Sequence, residues 1–305
     1  MPHWTDDFTF LFSAPRDRTV AAVGLISDRA IDAQNDMCVP AVWDSVQWIG
    51  SPVETLDFSL CGLAAVEHPM RQAAYLGLSG HVYFWGAGDS HEEYIDTPTA
   101  SPADIGMMRS LRAIAGKAYA VGMQRQAYRR DGVGRWVDLT QGIRPAQGSG
   151  EICSFEGIDG FGEDELYACG RDGELWWYDG AGWQAIASPT NVNLTNVCCG
   201  HDGAVYVCGR SGLLMKGRHD KWQVIEAGVV QQDFWGIAWF ADRLFLASMN
   251  LLFALTDKGL VPVEFDDDFP SSCFHLAVAL DGSVMWSTGA KDVFSYDGTS
   301  WTRID

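Results

Sequence analysis

Cys198-Cys199-Gly200-His201, with Cys208 close behind, is the densest group of soft ligands in the chain. Thiolates beside an imidazole are the materials of a zinc site. The spacing argues against one. Adjacent residues of a strand point to opposite faces, so Cys198 and Cys199 cannot easily share an ion. The chain also has no CxxC or HxxxH pair. Cys169 and Cys208 occupy one position of an internal repeat that elsewhere carries Val121, Ala247 and Thr288. That pattern predicts small, buried, reduced core residues, since a free cysteine packs as a small hydrophobe. No metal and no cofactor are expected. Of the seven histidines none recurs at a fixed repeat position, and His201 and His219 fall in turns. A Ser–His–Asp or Cys–His arrangement could still assemble from distant segments, but no nucleophile-elbow motif is present.

Arginines form the second group. Arg171 and Arg210 directly follow Gly170 and Gly209, while Arg125 and Lys291 lie just past Gly122 and Gly289. Guanidinium groups gathered at one place can grip a carboxylate in paired hydrogen bonds, as sialidases do. A glycosidase also needs a paired acid and nucleophile. The expectation is therefore that these cations balance nearby acids such as Glu151, Asp233 and Asp267.

Acids and aromatics form the third. Asp233-Phe234-Trp235 and Asp266-Asp267-Asp268-Phe269 combine charge with aromatic anchors, the composition of a protein-binding rim. Solvated loops with their aromatics tucked inward are the competing reading. Three consecutive aspartates lack the spaced pattern of a calcium loop. Candidate partner contacts are Asp233, Trp235, Asp266, Asp267, Asp268 and Phe269, with Arg171 and Arg210 selecting an acidic group on the partner.

The elements that must position these residues repeat. Leu166-Tyr-Ala-Cys-Gly170, Val205-Tyr-Val-Cys-Gly209 and Val284-Met-Trp-Ser-Thr-Gly289 are each followed by an acidic turn and a tryptophan, Trp183, Trp222 or Trp301. Tyr119-Ala-Val-Gly122 with Trp136 is a fourth copy, and Leu244-Phe-Leu-Ala-Ser248 with Val261 a degenerate fifth. Two weaker copies end at Gly77 and Gly24. The anchors from Gly122 onward step by 48, 39, 39 and 41 residues. In one copy the strands are predicted at 194–199, 204–208, 213–216 and 222–225, separated by turn sequences such as His201-Asp202-Gly203. Four strands per ~40 residues is the periodicity of a β-propeller. The anchor glycines are expected where a left-handed or bulged backbone favours glycine.

An all-β fold is thus expected, a single seven-bladed β-propeller of four-stranded blades spanning residues 1–305. The chain resembles the broad bacterial β-propeller group that includes WD40, YVTN and kelch-like repeats. The turn Asp297-Gly298-Thr-Ser-Trp301 is similar to a shortened sialidase Asp box, which in that family is a structural hairpin away from catalysis. The resemblance implies a fold.

Charge narrows the function. Lys+Arg is 21 against Asp+Glu 40, a net −19. Such a surface argues against a general nucleic-acid binder and against docking to anionic lipid, and it suits a basic protein partner. The N-terminus carries acid where a secretory leader carries base, and no apolar run reaches the ~18 residues of a membrane span. A cytoplasmic location is expected. Acidic propellers with degenerate Asp-Gly-x-x-Trp repeats resemble propeller-type immunity proteins of interbacterial toxins. That resemblance implies a non-enzymatic protein that binds a basic toxin, such as a nuclease, and occludes its active site. The alternatives are a glycosidase or lyase at the arginine-bearing end, or an assembly scaffold.

Overall fold

Strands buried on both faces read as continuous apolar runs rather than alternating ones. The repeated segments around Tyr75, Tyr119, Tyr167 and Tyr206 are runs of this kind. In the computed structural model each is the second strand of a sheet sandwiched between two neighbouring sheets, and every residue of Gln72–Gly77 and Val205–Gly209 is buried. The structure describes residues 7–35, 37–51, 55–146, 148–226, 230–265 and 268–304.

Among the described residues, 28 strands form seven antiparallel four-stranded sheets, each in simple sequence order. The blades span residues 8–50, 60–94, 108–138, 155–185, 194–224, 236–262 and 275–303. The fifth blade consists of Leu194–Cys199, Val205–Gly209, Leu214–Arg218 and Lys221–Val224, within a residue or two of the expected bounds. The first strands of successive blades contact one another around a ring, and that of blade 1 meets that of blade 7. The fold is a seven-bladed β-propeller.

Blade 1 departs most from the repeat. Its second strand, Ala21–Ser27, runs past Gly24, and a short helix, Asp28–Asp32, lengthens the link to the third strand. Its copy of the outer turn is Asp44 to Trp48, which the repeat comparison did not pick out. The Asp44 carboxylate accepts the backbone N–H groups of Val46 and Gln47 at 3.0 and 2.8 Å. Asp179 does the same for Ala181 and Gly182, both at 2.9 Å, and Asp297 for Thr299 and Ser300 at 2.8 and 2.9 Å. The turns resembling an Asp box are thus hairpin caps, and these backbone donors hold the Asp179 and Asp297 carboxyls below their ordinary range.

The physical reason for the anchor glycines differs from the one expected. Gly170 and Gly209 are extended, with φ −165° and −160°. What they lack is room. A Cβ on Gly170 would lie 1.7 Å from the Ser154 carbonyl oxygen, one on Gly209 2.6 Å from that of Asn193, and one on Gly289 2.1 Å from that of Ser272. In blades 3, 4, 5 and 7 the chain entering the inner strand crosses directly over the end of the second strand, whereas blade 6 carries Ser248 at this position. Only a residue without a side chain allows that approach.

Candidate partner-binding site

The link from outer strand to next inner strand and the turn between second and third strands share one end of the propeller. Their backbones bond to each other, for example Arg210 N–H to the Asn193 carbonyl at 3.0 Å and Trp235 N–H to that of Ala247 at 2.8 Å. Arg171 and Arg210 each open a one-turn 3-10 segment at this end. The residue after each takes a left-handed conformation, Asp172 at φ 53° and Ser211 at φ 55°. Each of these turns is pinned from the adjoining inter-blade segment. Asp172 N–H donates to Asn193 Oδ1 and Ser211 N–H to Asp233 Oδ1, both at 2.8 Å.

Asp233 therefore serves as a backbone cap rather than as the counter-ion expected for an arginine. Both arginines are exposed, and among the described residues neither guanidinium has a hydrogen-bond or ion-pair partner. Arg125 and Lys291 behave as expected of balanced cations. Arg125 pairs with Glu174 and with Glu151, and Lys291 Nζ lies 2.7 Å from Asp28.

Arg171 and Arg210 look into a funnel of about 750 Å³ at the mouth of the central channel. Arg109, Arg112, Asn196 and Trp235 also line it, over an apolar floor that includes Phe12, Leu63 and Ile158. Four arginines face one carboxylate, Glu156, in this lining. Arg109 Nε stands 3.8 Å from Glu156, beyond hydrogen-bond range. Deeper in, Arg112 holds Asp159 through Nε and Nη2, both at 3.3 Å, and that carboxylate raises the arginine's pKa still further. His275 sits on the same floor, edge-on to Phe12, and burial lowers its pKa to about 4, with the Arg112 charge adding to the shift.

The remaining candidates divide. Trp235 is 37% exposed at the funnel wall. Asp268 and Phe269 lie on the link into blade 7, out over its edge. Asp268 there pairs with Arg303 at 2.8 Å, and Phe269 is 69% exposed. Neither lines the funnel. Asp266 and Asp267 lie outside the described residues. The tucked-in aromatics of the competing reading are Phe234, fully buried, and Phe265, which packs on Phe294 and Trp301.

The opposite mouth carries the other sign. A cavity of about 670 Å³ is lined there by Asp159, Asp242 and Asp281, with Arg112 the one arginine in its lining. Cys198 packs into the cluster between blades 5 and 6 and Cys199 against that between blades 4 and 5, on opposite faces of their strand. Cys169 and Cys208 are buried and unpaired, and burial pushes the Cys208 thiol up to about 12. Such thiols stay protonated at neutral pH. Arg109 and Arg112 were missed from sequence. Three residues apart on Met108–Ile114, they would fall on opposite faces of a regular strand, so alternation gives no signal for the pair, and which residues of that strand line a channel is set only when the ring closes.

No family model matches the chain. Among curated proteins, the immune protein Tsi7 of Pseudomonas aeruginosa is 41% identical over 300 residues, covering 98% of this chain and 97% of that protein. The chain belongs to the Tsi7 immune-protein family. Solved structures share the fold at low identity. YCF48 bound to D1 peptide superposes with a TM-score of 0.67 at 14% identity, over 95% of this chain and 92% of that one. The WD40 β-propeller domain of Doa1 gives 0.66 at 12%, over 97% and 92%. A virginiamycin B lyase from Staphylococcus aureus gives 0.62 at 12%, over 80% and 83%. Outside the Tsi7 family, then, the likeness is one of fold, and it does not discriminate between binder and lyase.

Proposed function

We propose that the protein is an immunity protein that neutralises a basic toxin, of the nuclease kind, by covering its active site. The observation that carries this reading is the full-length identity to an immune protein. Two properties of the chain support it. A closed ring of seven packed blades is a rigid platform, so little conformational freedom is lost on binding. A net charge of −19 steers a basic partner into encounter, and carboxylates can take the place that substrate phosphates would occupy. The contacts proposed are Asp233, Trp235, Asp268 and Phe269 at the inter-blade end, together with the neighbouring Asp266 and Asp267, while Arg171 and Arg210 engage an acidic group of the toxin. The protein works by binding, with no turnover.

Co-expression with the product of the adjacent gene tests the proposal. Growth of a bacterial host should be arrested by that product alone and restored by this protein. The purified pair should associate with a rate that falls at least tenfold between low and high salt. Arrest that this protein fails to relieve would overturn the immunity reading, and a salt-independent rate would overturn the basic-partner part of it.

A further inference from the structure

The arginine-lined funnel is out of character for this molecule. The chain carries 40 acids against 21 bases, yet four arginines and one glutamate line this mouth. Several cations elsewhere are matched by acids. Arg125 is held by two glutamates, Arg218 by Glu165 at 2.7 Å, and Arg130 by Glu93 at 2.6 Å. Arg171 and Arg210 are not, although Asp172 directly follows Arg171 and Asp233 caps the Arg210 turn from the adjoining inter-blade segment. Those turns are strained, with non-glycine residues at φ 53° and 55°, and each is locked by a side chain from the adjoining inter-blade segment. The locking acceptor is Asn193 in one and Asp233 in the other. The result is two equivalent, rigidly based guanidiniums on adjacent blades, aimed at one space and, among the described residues, left without an anion.

We infer that the funnel is a carboxylate-binding site that receives a short acidic segment of a protein partner. Arg112 is already held by Asp159, but Arg171 and Arg210 have no anion among the described residues and Arg109 lies outside hydrogen-bond range of Glu156, so the space can take a segment with two carboxylates. The floor of Phe12, Leu63 and Ile158 suits the short apolar stems of aspartate and glutamate side chains. Trp235 at the wall and the Asn196 side chain add an apolar face and a polar contact. A free polyanion is disfavoured, because the net charge of −19 repels it at long range. A compact acidic segment escapes that penalty, since the rest of an interface brings it in. The site also selects: a partner lacking those carboxylates would leave the arginines desolvated and unpaired.

The inference rests on the immunity reading only for the source of the carboxylates. It is tested without any toxin, by NMR titration of the full-length protein with an acetylated Gly-Asp-Glu-Gly amide peptide at constant ionic strength. The Asn-Gln version of the peptide and inorganic phosphate are the comparison ligands. The Asp-Glu peptide should shift the indole signal of Trp235 and bind at least tenfold more weakly to Arg171→Gln/Arg210→Gln. The Asn-Gln peptide should leave the signal unmoved, and phosphate should bind more weakly than the acidic peptide. Those arginines are exposed, so the double variant should melt like the native protein. No binding of the acidic peptide, or equal binding by native and variant proteins, would overturn the site. Tighter binding of phosphate would overturn its assignment to carboxylates. Each of these failures leaves the co-expression result untouched, and failure of that result leaves the titration untouched.

Discussion

Arg130 is the largest fully buried side chain among the described residues, and the residues around it explain why it is tolerated. Its Nε and Nη2 donate to the two oxygens of Glu93 at 3.0 and 2.6 Å, Trp136 Nε1 donates to the same carboxylate at 3.0 Å, and the guanidinium stacks over Phe84 at 3.8 Å. Burial alone would raise the Glu93 pKa, and Arg130, the Gly134 backbone and His91 together more than reverse it. Removing one partner strands a buried charge. Glu93→Gln is expected to lower stability by about 3–5 kcal/mol in urea unfolding at neutral pH. A loss below 1 kcal/mol would show that the pair is dispensable. None of this could be seen in Arg129-Arg130-Asp131-Gly132, which has the composition of an exposed hairpin. His275 offers a pH test. Its pKa is lowered from 6.5 to about 4 in the fold, so between those values the unfolded chain binds a proton that the native state does not. Stability from this group is complete above 6.5 and falls as pH drops toward 4. His275→Phe should therefore lose less stability than the native protein between pH 7 and pH 4.5. Parallel urea midpoints across that range would refute the assignment.

At the scale of strands and turns, the repeat anchors were legible in the sequence and their cause was not. Glycine at the end of the second strand was readable at Gly77, Gly122, Gly170, Gly209 and Gly289. Sequence alone suggested a special φ, whereas the extended conformation of Gly170 would accept any residue. The obstacle is the Ser154 carbonyl of the incoming segment, 1.7 Å from where a Cβ would be. Gly170→Ala is expected to destabilise by about 2–3 kcal/mol or more, because both clashing groups are backbone held in a sheet. Gly182→Ala, where a Cβ would meet nothing within 4 Å, should stay within about 0.5 kcal/mol of native. Thermal melts of the two variants settle the point, and equal shifts would overturn it. The same crossing explains why Arg171 and Arg210 sit at the channel mouth. The glycine lets the inner strand's lead-in pass, and the next residue is thrown to the inside of the turn.

For the whole molecule, the ring must close without exchanging a strand, since blades 1 and 7 each use four consecutive strands. Closure depends on packing and a few bonds. Phe10 N–H donates to the Ala290 carbonyl at 2.9 Å, the hydroxyls of Ser13 and Thr288 meet at 2.6 Å, and Trp286 packs with Phe10, Val23 and Trp48 in one buried cluster. Trp286→Ala should cost about 3–5 kcal/mol, as expected when a buried tryptophan is emptied from a close-packed cluster. Trp235→Ala, at the exposed funnel wall, should cost less than about 0.5 kcal/mol while weakening the partner contact. Equal losses from the two would mean that closure is not held there.

Local pattern determined a good deal of this protein. Turn chemistry, the apolar second strands and a spacing near 40 residues specify blades, and counting them yields seven, because each blade is built from contiguous sequence. The acidic balance that suits a basic partner is likewise a sum over composition. What the tertiary structure alone decided is which charges share a space. Arg109 and Arg112 belong to blade 3, Arg171 to blade 4 and Arg210 to blade 5, and they face one funnel because the inner strands are brought side by side by ring closure. Asp233 is close to Arg210 in the fold yet spends its carboxylate on the Ser211 backbone, a choice made by hydrogen-bond geometry that no linear spacing encodes.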